Sequence, residues 1–120
     1  MRFEDLEAWK HARGLVAAVY KLTRKSGLDR DYGLSGQMQR ASVSIMSNIA
    51  EGFDRRHAAE KVQAYNISRA SCGEVRSLTY VVSDCFPEYD EESQNLRSQV
   101  EEVGRCLTGL ISSTVERTKA

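Results

Sequence analysis

From Leu96 onward the apolar positions of this chain recur at intervals of four and three: Leu96, Val100, Val103, Leu107, Leu110 and Thr114. That alternation marks one face of a helix pressed along its length against other helices. A seam of about five turns leaves little choice of architecture, because only helices of similar length can cover it.

The same period runs through the rest of the chain, with no strand-like alternation and a single proline. A first helix is predicted from about Asp5 to Lys25, its stripe being Trp9, Ala12, Val16, Val19, Tyr20 and Thr23, with Phe3 placed as a staple before the cap. "SGLDRDYG" breaks it. A second helix runs from about Ser35, an N-cap candidate, to Gly52, in the position of a helix-ending glycine. A third runs from about Ala58 to Cys85, with Ala64, Ile67, Ser71, Val75, Leu78, Val82 and Cys85 inward and Pro87 helping to end it. The fourth begins near Asp90, where Glu91 and Glu92 suit the positive end of the helix dipole. Four amphipathic helices joined by short turns predict an all-α, antiparallel up-down-up-down four-helix bundle, a single domain over residues 1–120.

A chain of 120 residues hides roughly two-thirds of its unfolded surface, so a true core is available without disulfides. Cys72, Cys85 and Cys106 are odd in number and widely spaced, which reads as reduced core thiols. The longest apolar run, "LVAAVY", falls far short of the ~18 residues of a membrane span. "MRFEDLEAWK" has no signal-peptide core, so the expected location is the cytoplasm, with no membrane partner. Net charge is zero, but residues 1–80 hold 13 basic and 9 acidic side chains while residues 81–120 hold 4 and 8. Any attraction for nucleic acid must therefore come from a local patch.

The second helix is the unusual one. Leu34, Met38, Ala41, Ile45 and Ile49 form one apolar stripe, while Val43, Met46 and Ala50 form another, offset by more than a quarter turn. On the far side Arg40, Ser44, Ser47 and Glu51 make a polar line bordered by Asn48, and Gly52 closes the segment. Two apolar faces and a line of small hydroxyls imply a second surface packed there, either the N-terminal segment or another subunit. Arg40 and Glu51 lie roughly 16 Å apart along the axis, too far to act jointly as acid and base within one chain. The line reads as structural.

"FEDLEAW" at 3–9, "YGLSGQMQRASVSIMSNIAEGF" at 32–53, and Ser71 with Glu74 in "SRASCGEV" together resemble the four-helix bundle proteins also called large-subunit (23S) rRNA-intervening sequence proteins. The resemblance covers nearly the whole chain. It implies a bacterial all-α bundle with no established enzymatic activity that forms a homo-oligomer, typically a pentameric ring. A related branch, the accessory variability proteins of diversity-generating retroelements, binds nucleic acid and a reverse transcriptase. Candidate partners are thus a second copy of the chain, RNA or DNA, and a reverse transcriptase or other protein. Gln39, Met46 and His57 stand where the family usually has Arg, Pro and a capping Ser or Thr.

His11 and His57 are far apart with no Asp, Glu or Cys at ligand spacing, so neither a metal, a cofactor nor a catalytic residue is expected. On the third helix Lys61, Tyr65, Arg69 and Arg76 fall on the face away from the expected stripe, and Arg55 and Arg56 precede them. Cations interleaved with an aromatic suit a phosphate backbone and a stacked base. A solvated or subunit-facing stripe fits the same residues. The expected function is an oligomeric, non-enzymatic adaptor with weak, sequence-tolerant nucleic-acid binding. A protein scaffold without such affinity is the first alternative, and an enzyme with a subunit-interface site around Arg40 and Glu51 is the second.

Overall fold

Asp31 sets where the second long helix begins. Its Oδ1 accepts from the Leu34 amide at 3.1 Å, satisfying one of the free N–H groups of the first turn. The computed structural model, which describes residues 1–119, has four long helices: α1 Glu7–Thr23, α2 Tyr32–Asp54, α3 Ala58–Cys85 and α4 Asp90–Lys119. Single 3₁₀ turns, Phe3–Asp5, Leu28–Arg30 and Pro87–Tyr89, lead into α1, α2 and α4. The helices pack in a closed cycle, α1 on α2, α2 on α3, α3 on α4 and α4 on α1, within 51 × 20 × 19 Å. With connections this short, neighbours run antiparallel, and the chain is an all-α four-helix bundle. Among the described residues no helix is long and apolar enough to cross a membrane.

The bounds of α3 and the start of α4 are those the sequence predicts. Those of α2 are not. Ser35 is no cap but a buried residue of the first turn, donating to the Leu28 carbonyl at 2.7 Å. Gly52 does not end the helix through a left-handed backbone; it lies inside the last turn, packed against α3. A Cβ added there would lie 2.7 Å from Tyr65 Cε1 and 2.9 Å from Ala64 Cβ. Gly27 is the one glycine with a left-handed φ, +94°, in the α1–α2 turn. That turn is tied to the α3–α4 turn by the Tyr89 hydroxyl, which donates to the Ser26 carbonyl at 2.7 Å.

The stripes of α2 and α4 face the core as expected, with Met38, Ala41, Ile45 and Ile49 opposite Leu96, Val100, Val103 and Leu107 in one cluster. Those of α1 and α3 are rotated. α1 buries Ala8, Ala12, Leu15, Val19, Leu22 and Thr23, leaving Trp9 at the border, where Phe3 meets it at 5.3 Å between ring centroids. α3 buries Ala64, Tyr65, Ser68, Cys72, Val75, Thr79 and Val82, while Ile67 is 46% exposed and Cys85 is exposed. The hydroxyls explain the rotation. Ser68 donates to the Ile45 carbonyl at 2.9 Å and Thr79 to the Arg76 carbonyl at 2.6 Å, so both enter the core with their polarity satisfied. Residues that pattern analysis scores as polar thus behave as core.

Gly52→Ala is expected to destabilise the bundle by about 1–3 kcal/mol, since neither the buried Tyr65 ring nor the Ala64 methyl has room to retreat. Gly109→Ala, mid-helix with nothing within 4 Å of the new methyl, is expected to stabilise it by about 0.5–1 kcal/mol. Urea denaturation of both variants measures the contrast, and equal midpoints would refute the packing described for Gly52.

Candidate nucleic-acid interface

The polar line of α2 becomes a hydrogen-bonded strip across α2 and α3. Asn48 Nδ2 donates to the Ser44 carbonyl at 2.9 Å and to Ser44 Oγ at 3.2 Å, and Ser71 Oγ reaches Ser44 Oγ from α3 at 3.1 Å. Ser47 is half-buried beside them. The two ends stay apart. Arg40 is exposed and folds its guanidinium back over Gly36, where an added Cβ would meet Nη1 at 3.0 Å. Glu51 is exposed and, like Arg40, takes part in no ion pair among the described residues. The line is therefore an α2–α3 packing element with solvated ends. Val43 remains 39% exposed at its edge.

The six expected nucleic-acid contacts divide. Tyr65 leaves the set: it is 1% exposed, filling the space that Gly52 opens, and a ring so placed stacks on no base. Burial pushes its hydroxyl above the ordinary tyrosine range, with Arg117 opposing and Asp54 reinforcing the shift. Lys61 is half-engaged already, donating to the Phe53 carbonyl at the end of α2 with its ammonium 5.3 Å from the Phe53 ring centroid. Arg55 is the C-cap residue of α2 and exposed. Arg56 lines a hollow of about 200 Å³ at that end of the bundle with Lys61 and Arg117.

Arg69 and Arg76 sit further along α3, at a second and separate hollow. They line a groove of about 510 Å³, and α4 contributes Arg105 to it. Gly73 and Gly104 form part of its wall and keep it open. Arg76 pairs across it with Glu101 at 3.7 Å, and Arg105 with Glu102 at 2.6 Å; both are exposed pairs of the kind worth little and easily exchanged. The two hollows share no lining residue: Arg56, Lys61 and Arg117 belong to the one at the bundle end, and Arg69, Arg76 and Arg105 to the α3–α4 groove, where Glu101 lies among them. Arg105 and Arg117 lie in the acidic last third of the chain, where the sequence gives no basic cluster to mark them. Arg97, by contrast, is engaged structurally: it donates to Thr79 Oγ1 at 3.0 Å and to Ser83, and stacks 4.0 Å from the Tyr80 ring centroid.

Elsewhere the fold supplies what sequence spacing did not. His11 meets Glu102 and Cys106 from α4, with one ligand atom of each lying within 4.8 Å of the others. The packing of α1 on α4, rather than spacing along the chain, brings these three side chains together. His57 is the N-cap residue of α3 and makes no side-chain cap bond. The cysteines differ among themselves. Cys72 is buried under the basic groove, and burial lifts its pKa to about 11 against the opposing pull of Arg69. Burial, then the Glu102 and Glu7 carboxylates, raise Cys106.

The 23S rRNA-intervening sequence protein family model matches residues 4–109 of the chain. Among solved structures, one of a protein of unknown function from the S23 ribosomal protein family of Bacteroides thetaiotaomicron VPI-5482 superposes with a TM-score of 0.80 at 16% identity, covering 88% of this chain and 95% of that one. At that identity the likeness is one of fold. No curated protein matches the chain.

Alkylation should rank the thiols. At pH 8 a thiol of pKa about 11 holds on the order of 0.1% thiolate, so Cys72 is expected to react last and the exposed Cys85 first with iodoacetamide, by more than tenfold in rate. Peptide mapping by mass spectrometry reads the order, and early labelling of Cys72 would show that α3 is turned otherwise.

Proposed function

We propose that this chain, which belongs to the 23S rRNA-intervening sequence protein family, is a non-enzymatic, homo-oligomeric adaptor of the cytoplasm that holds nucleic-acid backbones along its α3–α4 seam. The observation that carries this reading is the α3–α4 groove, where Arg69, Arg76 and Arg105 stand beside one lining carboxylate, Glu101. A groove of that charge attracts phosphates irrespective of sequence, and Arg forks favour phosphate oxygens geometrically. With Tyr65 inside the core, base stacking plays no part, so affinity per subunit is low and strongly salt-dependent.

Assembly compensates for this. Val43 at 39% and Ile67 at 46% exposure give the α2–α3 side an apolar surface next to the small hydroxyls of Ser44, Ser47 and Ser71, which suits close approach of another copy. A ring of five would present five seams to one strand, raising avidity without new contacts. The apolar surface also favours a second reading, a protein scaffold that assembles but leaves nucleic acid alone.

Fluorescence anisotropy with labelled single-stranded and duplex RNA and DNA separates the two. Wild type is expected to bind every sequence with a log-log salt slope near −0.7 per single-strand phosphate engaged, and Arg69→Glu with Arg76→Glu should lower affinity at least tenfold with helicity unchanged. Unaltered binding by that double variant would overturn the seam assignment; no binding by wild type at low salt would favour the scaffold. Light scattering at micromolar concentration is expected to give roughly 67 kDa, five copies of the 13.5 kDa chain, and a monomer would remove the avidity argument.

A further inference from the structure

We propose that the α1–α4 seam binds a zinc-class divalent cation, held by the His11 imidazole, the Cys106 thiolate and the Glu102 carboxylate, with the fourth position left to water. The site is separate from the α3–α4 groove, and its ligands stand whether or not that groove binds nucleic acid.

Two helices bring the same five-residue pattern to one place. α1 carries Glu7, two residues, Lys10 and His11; α4 carries Glu102, two residues, Arg105 and Cys106. In each the acid and the nitrogen or sulfur donor are four apart and share a helix face, while the basic residue is three from the acid. The contacts follow that pattern on both helices. Glu7 gives Oε1 to Lys10 at 3.8 Å and keeps Oε2 3.9 Å from His11 Nε2. Glu102 gives Oε2 to Arg105 at 2.6 Å and keeps Oε1 3.9 Å from Cys106 Sγ. Each carboxylate thus has one oxygen toward a cation of its own helix and the other beside a nitrogen or sulfur donor.

Because α1 and α4 run antiparallel, the two motifs converge, and one ligand atom each of His11, Glu102 and Cys106 lies within 4.8 Å of the others. Zinc bonds of 2.0–2.3 Å in a tetrahedral site separate ligand atoms by about 3.3–3.8 Å, so closure asks for about an ångström from side chains that are half-buried or exposed. A hollow of about 330 Å³ bordered by Lys10, His11, Gly14, Ser98, Gln99 and Glu102 lies beside the cluster. Imidazole with thiolate selects zinc-class ions over magnesium or calcium. On binding, the thiol loses its proton to solvent as the sulfur–metal bond forms, and no electron changes hands.

Cobalt(II) is the probe, added to the full chain under reducing conditions. Expected is a near-ultraviolet thiolate-to-cobalt charge-transfer band that saturates at one ion per chain and is displaced by zinc. Cys106→Ser should abolish the band, His11→Ala should weaken the apparent affinity at least tenfold, and Cys72→Ser and Cys85→Ser should retain both. His11 is exposed, so its variant folds and decides the matter even where Cys106→Ser perturbs the helix. No band with wild type, a band that survives Cys106→Ser, or an affinity unmoved by His11→Ala would overturn the assignment.

Discussion

The close approach of α2 to α3 at Gly52 is the constraint on which the rest of the bundle depends. With only hydrogen on the Gly52 Cα, the Tyr65 ring and the Ala64 methyl reach the α2 backbone, and a Cβ would have to overlap both. That contact fixes the axial and rotational register of α3. From it follow the Ser68 bond to the Ile45 carbonyl and the Ser71 bond to Ser44, both of which need the backbones near each other. The polar line of α2 is accordingly a consequence of small side chains allowing two helices to close, with the hydroxyls satisfied across the gap.

Register on α3 in turn decides which cations are available. Rotating α3 so that Tyr65, Ser68 and Cys72 face inward turns Arg69 and Arg76 toward α4, where they meet Arg105 across a groove walled by Gly73 and Gly104. The same rotation brings Thr79 to Arg97, which joins α3 and α4 near the other end. Cations on one molecule thus divide by what the packing asks of them. Arg97 and Lys61 hold helices and helix ends together, while Arg69 and Arg76 line the open α3–α4 groove, Arg76 paired with Glu101 across it.

The sequence was most legible where side-chain type and burial coincide. α4 has a regular apolar seam with acidic residues at its start, and both its beginning and its core face match the periodicity. α2 was legible in its core stripe but not in its first turn, because Asp31 precedes two residues, Tyr32 and Gly33, that carry no helical signal. α3 was readable in its limits and misread in its rotation. Ile67 and Cys85 are apolar yet exposed, while Ser68 and Thr79 are polar yet buried, Ser68 bonded to a carbonyl of α2 and Thr79 to one of its own helix. Tyr65 was placed outside for that reason. The His11, Glu102 and Cys106 cluster was hidden by a separation of some ninety residues along the chain, although the repeated acid, base, donor pattern was present in the letters themselves.

Glu102 and Arg105 join the two seams of α4. Arg105 lines the α3–α4 groove, yet its guanidinium is bonded to Glu102 Oε2, and the other oxygen of that carboxylate faces Cys106 at the α1–α4 seam. The Arg105 bond is the first cause holding the Glu102 carboxyl below its ordinary range, so charge on one side of α4 is already felt on the other.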